Sequence, residues 1–122
     1  MSSLDHTITG NALAISLEDE IRLVRADLAA ATERIGRTVL KNGPLRVTLV
    51  ALKPGGALPS HRSEGPITVQ VLEGTMEVRV GEANHRLPPG AIFALAGGIR
   101  HSVLSEGGGI FLLTLVTTQS PS

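Results

Sequence analysis

The sequence contains no cysteine, no tryptophan and no tyrosine, and only two phenylalanines, Phe93 and Phe111. Without cysteine there is no disulfide framework, no thiolate metal site and no cysteine nucleophile. Sugar and single-stranded nucleic-acid sites present flat aromatic faces for stacking, and two phenylalanines inside apolar runs do not furnish such a platform. Both are expected in the core. No charge of one sign is in excess either, since eleven basic residues balance eleven acidic ones. A surface for nucleic acid or anionic membrane needs a basic excess, so neither partner is expected. No apolar run approaches the ~18 residues of a membrane span, and no basic-then-apolar leader stands out. A cytoplasmic protein is the expectation.

What is present suffices for one folded unit. The chain has 122 residues, 42% of them hydrophobic and only 18% charged, a balance that can bury a core. Residues 1–15 mix polar and isolated apolar positions and read as a tail or a short edge strand. Ser16 followed by Glu18, Asp19 and Glu20 reads as a capped, acidic helix start. Leu17, Ile21, Val24, Leu28, Ala31 and Ile35 then recur at alternating spacings of four and three. This stripe predicts a helix of about five turns, ending near Gly36 with Arg34 and Arg37 at its close. It would dock on the domain's own sheet or take part in a dimer contact.

From residue 37 the period changes to two. Residues 37–40 and 45–52 read as strands around a turn at 41–44. A loop at 53–59 leads to His61, and strands follow at 67–73 and 75–80 around Gly74. A hairpin turn at 81–84 leads into 85–87, and Pro88-Pro89-Gly90 ends that strand. Three more strands are expected at 91–95, 99–104 and 110–117, with glycine clusters between them. Many short strands with closely spaced turns indicate a mainly β sandwich or barrel. The expected division is a tail and helix over 1–36, a β-barrel over 37–117 and a loose end over 118–122.

Two segments carry a family resemblance. Gly55 is followed by five residues and His61-Arg62-Ser63, and the stretch closes with Val71-Leu72-Glu73-Gly74. Further on, Gly90, Ala96, Gly98, His101 and Ser105 stand at the spacings of a second motif, after Leu87-Pro88-Pro89. In this order and separation the motifs resemble those of the cupin superfamily, small RmlC-like barrels with a jelly-roll fold. The resemblance covers about residues 45–117 and implies a single-domain cupin barrel preceded by one helix, assembling as a homodimer through edge strands or its N-terminal segment. Metal-binding cupins use two histidines and a glutamate of the first motif and one histidine of the second. Here His61 and His101 occupy two of those positions, while Ser63 and Ile67 replace the second histidine and the glutamate. Ala96 and Ser105 replace the proline and asparagine of the second motif.

Imidazole binds transition metals well, a neutral hydroxyl poorly and isoleucine not at all, so a divalent metal on His61 and His101 is disfavoured. Glu64 is the nearest carboxylate, but its parity relative to His61 is wrong for an extended segment. The first expectation is therefore a metal-poor binding site for a small, mostly apolar or weakly acidic molecule. Its lining would be His61, Ser63, Ile67, Val69, His101 and Val103. Two alternatives are an enzyme of dioxygenase or isomerase type with His61 and His101 as metal ligands, and a metal-free isomerase or epimerase with a histidine base. A barrel filled by its own side chains is the bland alternative. Arg62 and Glu64 read as a solvated pair, Gln70 as a structural amide, and His6 and His85 as exposed. The glycine run 107–109 lacks the lysine and helix of a phosphate loop and reads as a hairpin connection, and no Gly-x-Ser-x-Gly element is present.

Overall fold

The computed structural model describes residues 12–117. One helix, α1 (Leu17–Ala30), precedes nine strands: β1 (Arg34–Asn42), β2 (Leu45–Leu52), β3 (Gly56–His61), β4 (Ile67–Gly74), β5 (Met76–Val80), β6 (Ala83–Leu87), β7 (Ile92–Leu95), β8 (His101–Ser105) and β9 (Gly109–Val116). They form two antiparallel sheets of order β1-β2-β9-β4-β7 and β3-β8-β5-β6. The result is a jelly-roll β fold with one N-terminal helix. Residues 1–11 of the tail expected over 1–15, His6 among them, and the loose end expected at 118–122 lie outside the described residues.

Between the sheets lies the barrel core. Side-chain alternation sends Ile67, Val69 and Val71 of β4, Val50 and Leu52 of β2, and Phe111 of β9 inward from the five-stranded sheet. Met76, Val78 and Val103 meet them from the other sheet. Phe111 is fully buried, as expected, whereas Phe93 is only half-buried and packs at the core's margin.

The five-stranded sheet is covered on part of its outer face as well. Leu17, Ile21, Val24 and Leu28 of α1 pack on Leu49, Ala51, Val39 and Ile110. The helix therefore docks on its own sheet, and β2 is buried on both faces from Leu49 to Leu52. Ser16 caps α1 by accepting a bond from the Asp19 N–H at 3.3 Å.

Where α1 ends departs from the sequence reading. The helix stops at Ala30, Ala31 is extended, and Lys53 Nζ donates to the Ala31 carbonyl. Arg34, Ile35 and Gly36 belong to β1 and pair with Leu52, Ala51 and Val50. The apolar stripe continues in the same second core, but Ile35 reaches it from a strand. Arg37 is not at a helix end. It lies beneath the helix, its Nε donating to Glu20 Oε1 at 2.7 Å, with both side chains more than nine-tenths buried. A segment rich in β-branched residues, Ile35 to Val39, with a ladder of β2 partners outweighs the helical spacing. Other boundaries shift too: β1 runs on to Asn42 and β6 begins at Ala83, both within the expected turns. The expected loop before His61 is strand from Gly56 onward, with a register irregularity between Leu58 and His61, and the last strand but one begins at His101 rather than 99.

Candidate functional site around two paired histidines

His61 ends β3 and His101 begins β8, and the two are direct register partners in the antiparallel ladder. Their rings lie 4.4 Å apart between centroids and are tilted by 54°. His101 is 3% exposed, while His61 is half-buried and connects it to solvent. The two are far apart in the sequence; the strand pairing makes them neighbours.

The loops that hold this pair are tied to each other. The Gly98 N–H donates to the Ser63 carbonyl at 2.8 Å, joining the segment before His101 to the segment after His61. Gly97 packs so closely that a Cβ there would stand 2.4 Å from the Glu64 carbonyl oxygen. A larger residue at Gly97 would push the two loops apart, whereas Gly98 has open space around it and is favoured by its left-handed backbone, φ +79°.

Each imidazole is oriented from behind. Nδ1 of His61 lies 2.8 Å from the Pro59 carbonyl oxygen, and Nδ1 of His101 lies 3.1 Å from that of Ile99. A carbonyl only accepts, so Nδ1 carries the proton in both rings. In the neutral form both Nε2 atoms are then acceptors. The pair suits a group that donates a hydrogen bond.

Of the other expected lining residues, Ser63 is half-buried beside His61. Ile67, Val69 and Val103 are buried in the barrel core, pointing inward as the alternation requires. Val103 shares the inward face of β8 with His101. Arg62 and Glu64 are both exposed. Gln70 is half-buried and sits on the opposite face of β4 from Ile67 and Val69. Ser105, at the motif's asparagine position, is fully buried and donates from Oγ to the Thr75 carbonyl at 2.7 Å, a structural bond.

His85 holds a position that the sequence reading missed. It is exposed as expected, yet it pairs with Val78 and lies on the same face as Leu87, the inward face of its sheet. Its ring meets Phe93 of the opposite sheet at 4.8 Å between centroids, across the gap between β6 and β7. Its spacing of two from buried Leu87 is the signal that would have placed it.

The donor set decides whether a transition metal fits. His61 and His101 supply two imidazoles, and Ser63 and Ile67 supply a hydroxyl and a hydrocarbon. Among the described residues no group of three or more histidine, cysteine, aspartate or glutamate side chains could hold an ion. Backbone carbonyls on Nδ1 are what metal-bound histidines also use, so the tautomer does not discriminate; the number and kind of donors do. Two imidazoles without a carboxylate do not fit a tight transition-metal centre.

A family model described as a cupin domain matches residues 48–117, more than half of the chain. This chain belongs to the cupin superfamily. The cupin is 30% identical to TT1209 from Thermus thermophilus, with 70% of this chain and 85% of that one covered and a TM-score of 0.63. An RmlC-like cupin from Shewanella frigidimarina superimposes with a TM-score of 0.67 at 19% identity, covering 74% of this chain and 81% of that one. KdgF from a Halomonas species does so with a TM-score of 0.65 at 17% identity, over 74% and 85% of the two chains. No curated protein matches the sequence. The described residues contain no helix long and apolar enough to cross a membrane.

Proposed function

We propose that this cupin binds a small, mostly apolar or weakly acidic molecule at the barrel mouth, its hydroxyl donating to Nε2 of His61 or His101. The observation that carries this reading is the shared tautomer of two adjacent rings, each with Nδ1 bonded to a backbone carbonyl and Nε2 left as an acceptor. In this reading Ser63, half-buried two residues after His61, would supply a further polar group, and Ile67, Val69 and Val103 of the barrel core its apolar side. Few polar groups against apolar walls is the usual make-up of a small-molecule site.

A thermal-shift panel of phenols and other weakly acidic hydroxyl compounds, run beside their methyl ethers, tests it. A hydroxyl compound should raise the melting temperature of the wild type, its ether should not, and His61→Ala and His101→Ala should abolish the shift. Equal shifts with the ethers, or shifts that survive both substitutions, contradict the reading.

A free Nε2 is also what a general base requires. The second reading is therefore a metal-free isomerase or epimerase in which one of these histidines moves a proton. It demands turnover that persists in chelator and disappears in His→Ala variants.

A further inference from the structure

The barrel interior has two unlike sides. On β4, β5 and β7 the inward side chains are apolar throughout. On β2 the inward positions are Arg46, Thr48, Val50 and Leu52; the last two lie in the barrel core, and the pairing with β9 keeps one register from Leu45 to Leu52. Arg46 and Thr48 therefore share the inward face with their β9 partners Leu115 and Leu113, which pack on that core. On β1, Thr38 pairs with Thr48 and Lys41 with Arg46. Each of these polar residues is half-buried.

This polar corner faces the histidines. β1 lies against β3, where the Ala57 backbone bonds the side chains of Glu33 and Arg34, and on the far side His85 meets Phe93 across β6 and β7. With both pairs of edges together, β2 stands across the barrel from β3 and β8. Arg46 and His61 also lie at the same end. The Thr117 N–H donates to the Pro44 carbonyl in the β1–β2 turn at 2.8 Å, and the Val116 N–H to that of Pro66, in the loop after His61, at 3.3 Å. Arg46 has no carboxylate. Its Nη1 donates to the Gly43 and Leu45 carbonyls, and among the described residues it enters no ion pair. Arg62 and Arg100, next to His61 and His101 in the chain, are exposed and likewise in no ion pair among the described residues. With Lys41 they set a positive rim against Glu64 and Glu82, on a chain without net charge.

We infer that the ligand is an organic carboxylate that also carries a hydroxyl, with the carboxylate on the Arg46 guanidinium beside the Thr48 hydroxyl and the hydroxyl donating to a histidine Nε2. The inference rests on the ligand reading above and adds the charged end of the molecule. Both bonds from Arg46 to the turn use Nη1, which leaves Nε and Nη2, the side-on edge of the fork, for two carboxylate oxygens. Half-buried beside Leu113 and Leu115, the guanidinium attracts an anion more strongly than it would in open water. The surrounding cations draw an anion to this end of the barrel. The apolar side chains across the interior then receive the body of the ligand between its two polar ends.

Isothermal titration of the full chain with the isomeric hydroxybenzoates and their matching hydroxybenzamides, which keep ring and hydroxyl but lose the charge, tests it. At least one acid should bind about tenfold more tightly than its amide, the worth of one charge-assisted hydrogen bond. Arg46→Gln should bring that ratio close to one, and Arg46→Lys should restore part of it. Arg86→Gln, the same change of charge at an exposed position on β6, should keep the wild-type ratio. Far-UV circular dichroism reports the folding of each variant, and the wild-type ratio needs no variant at all. Amides that bind as tightly as their acids, both abolished by His61→Ala, overturn the carboxylate and leave the ligand reading standing. A ratio unchanged in Arg46→Gln, or lost equally in Arg86→Gln, overturns it too. Acid binding that needs Arg46 but survives His61→Ala and His101→Ala supports the Arg46 subsite and contradicts the ligand reading. No binding by any member of the series overturns both.

Discussion

His101 and His61 occupy one register pair but differ in what depends on them. His101 is buried and its Nδ1–H bonds the Ile99 carbonyl at the entry to β8, so its removal leaves both a cavity and an unpaired carbonyl. His101→Ala should cost about 1–3 kcal/mol of unfolding free energy. His61 is partly solvated, and His61→Ala should cost less than about 1 kcal/mol, as for a substitution outside the core. Urea denaturation separates the two. Gly74 sets the sharpest single-residue constraint. Its φ is +75°, and a Cβ there would come 2.2 Å from the Gly108 carbonyl oxygen, where β4 meets the start of β9. Gly74→Ala should therefore destabilise by more than the roughly 1 kcal/mol of a left-handed backbone alone, and the urea midpoint reads it. The histidines and Gly74 stand out in the sequence because their spacing matches a known motif. The Pro59 and Ile99 carbonyls that orient the rings do not, since backbone acceptors leave no residue-type signature.

At the scale of elements, the contact that joins α1 to the barrel was hidden from the sequence. Glu20 and Arg37 lie on a helix and a strand, and each alone looks like a surface charge. Their buried pairing depends on β1 beginning at Arg34, ahead of the expected strand start. The helical spacing of Ala31 and Ile35 concealed that boundary, because a strand can deliver Ile35 to the same apolar cluster. Removing one partner leaves the other charge buried away from water. Arg37→Ala should cost on the order of 3–5 kcal/mol, while the double change Glu20→Met with Arg37→Met should cost distinctly less. Chemical denaturation of both proteins checks the order. At the other extreme, Ser16→Ala removes an exposed cap bond and should cost about 0.5–1 kcal/mol by the same assay.

For the whole molecule, two cores share one sheet. The barrel interior is legible in the sequence through the period-two alternation of β4 and through motif spacing that pins the turns at Gly74 and Gly90. The second core under α1 is legible as a stripe without its destination. The polar corner of the interior is not legible, because β2 is buried on both faces and only the docking of α1 on Leu49 and Ala51 turns Arg46 and Thr48 inward. Strand pairing in the other sheet creates the site by bringing His61 and His101 together. Ser63 and Ile67 stand where further metal ligands are found in other cupins, and neither replaces them. On this reading the histidine pair serves a ligand and not a metal centre.

Metal content decides between the two. Untagged protein purified without chelators, with His61→Ala and His101→Ala alongside, should carry transition metal far below one ion per chain in all three forms by plasma mass spectrometry. About one ion per chain in the wild type, lost in both variants, would contradict the ligand reading, since the two imidazoles would then complete a metal site with donors from outside these positions.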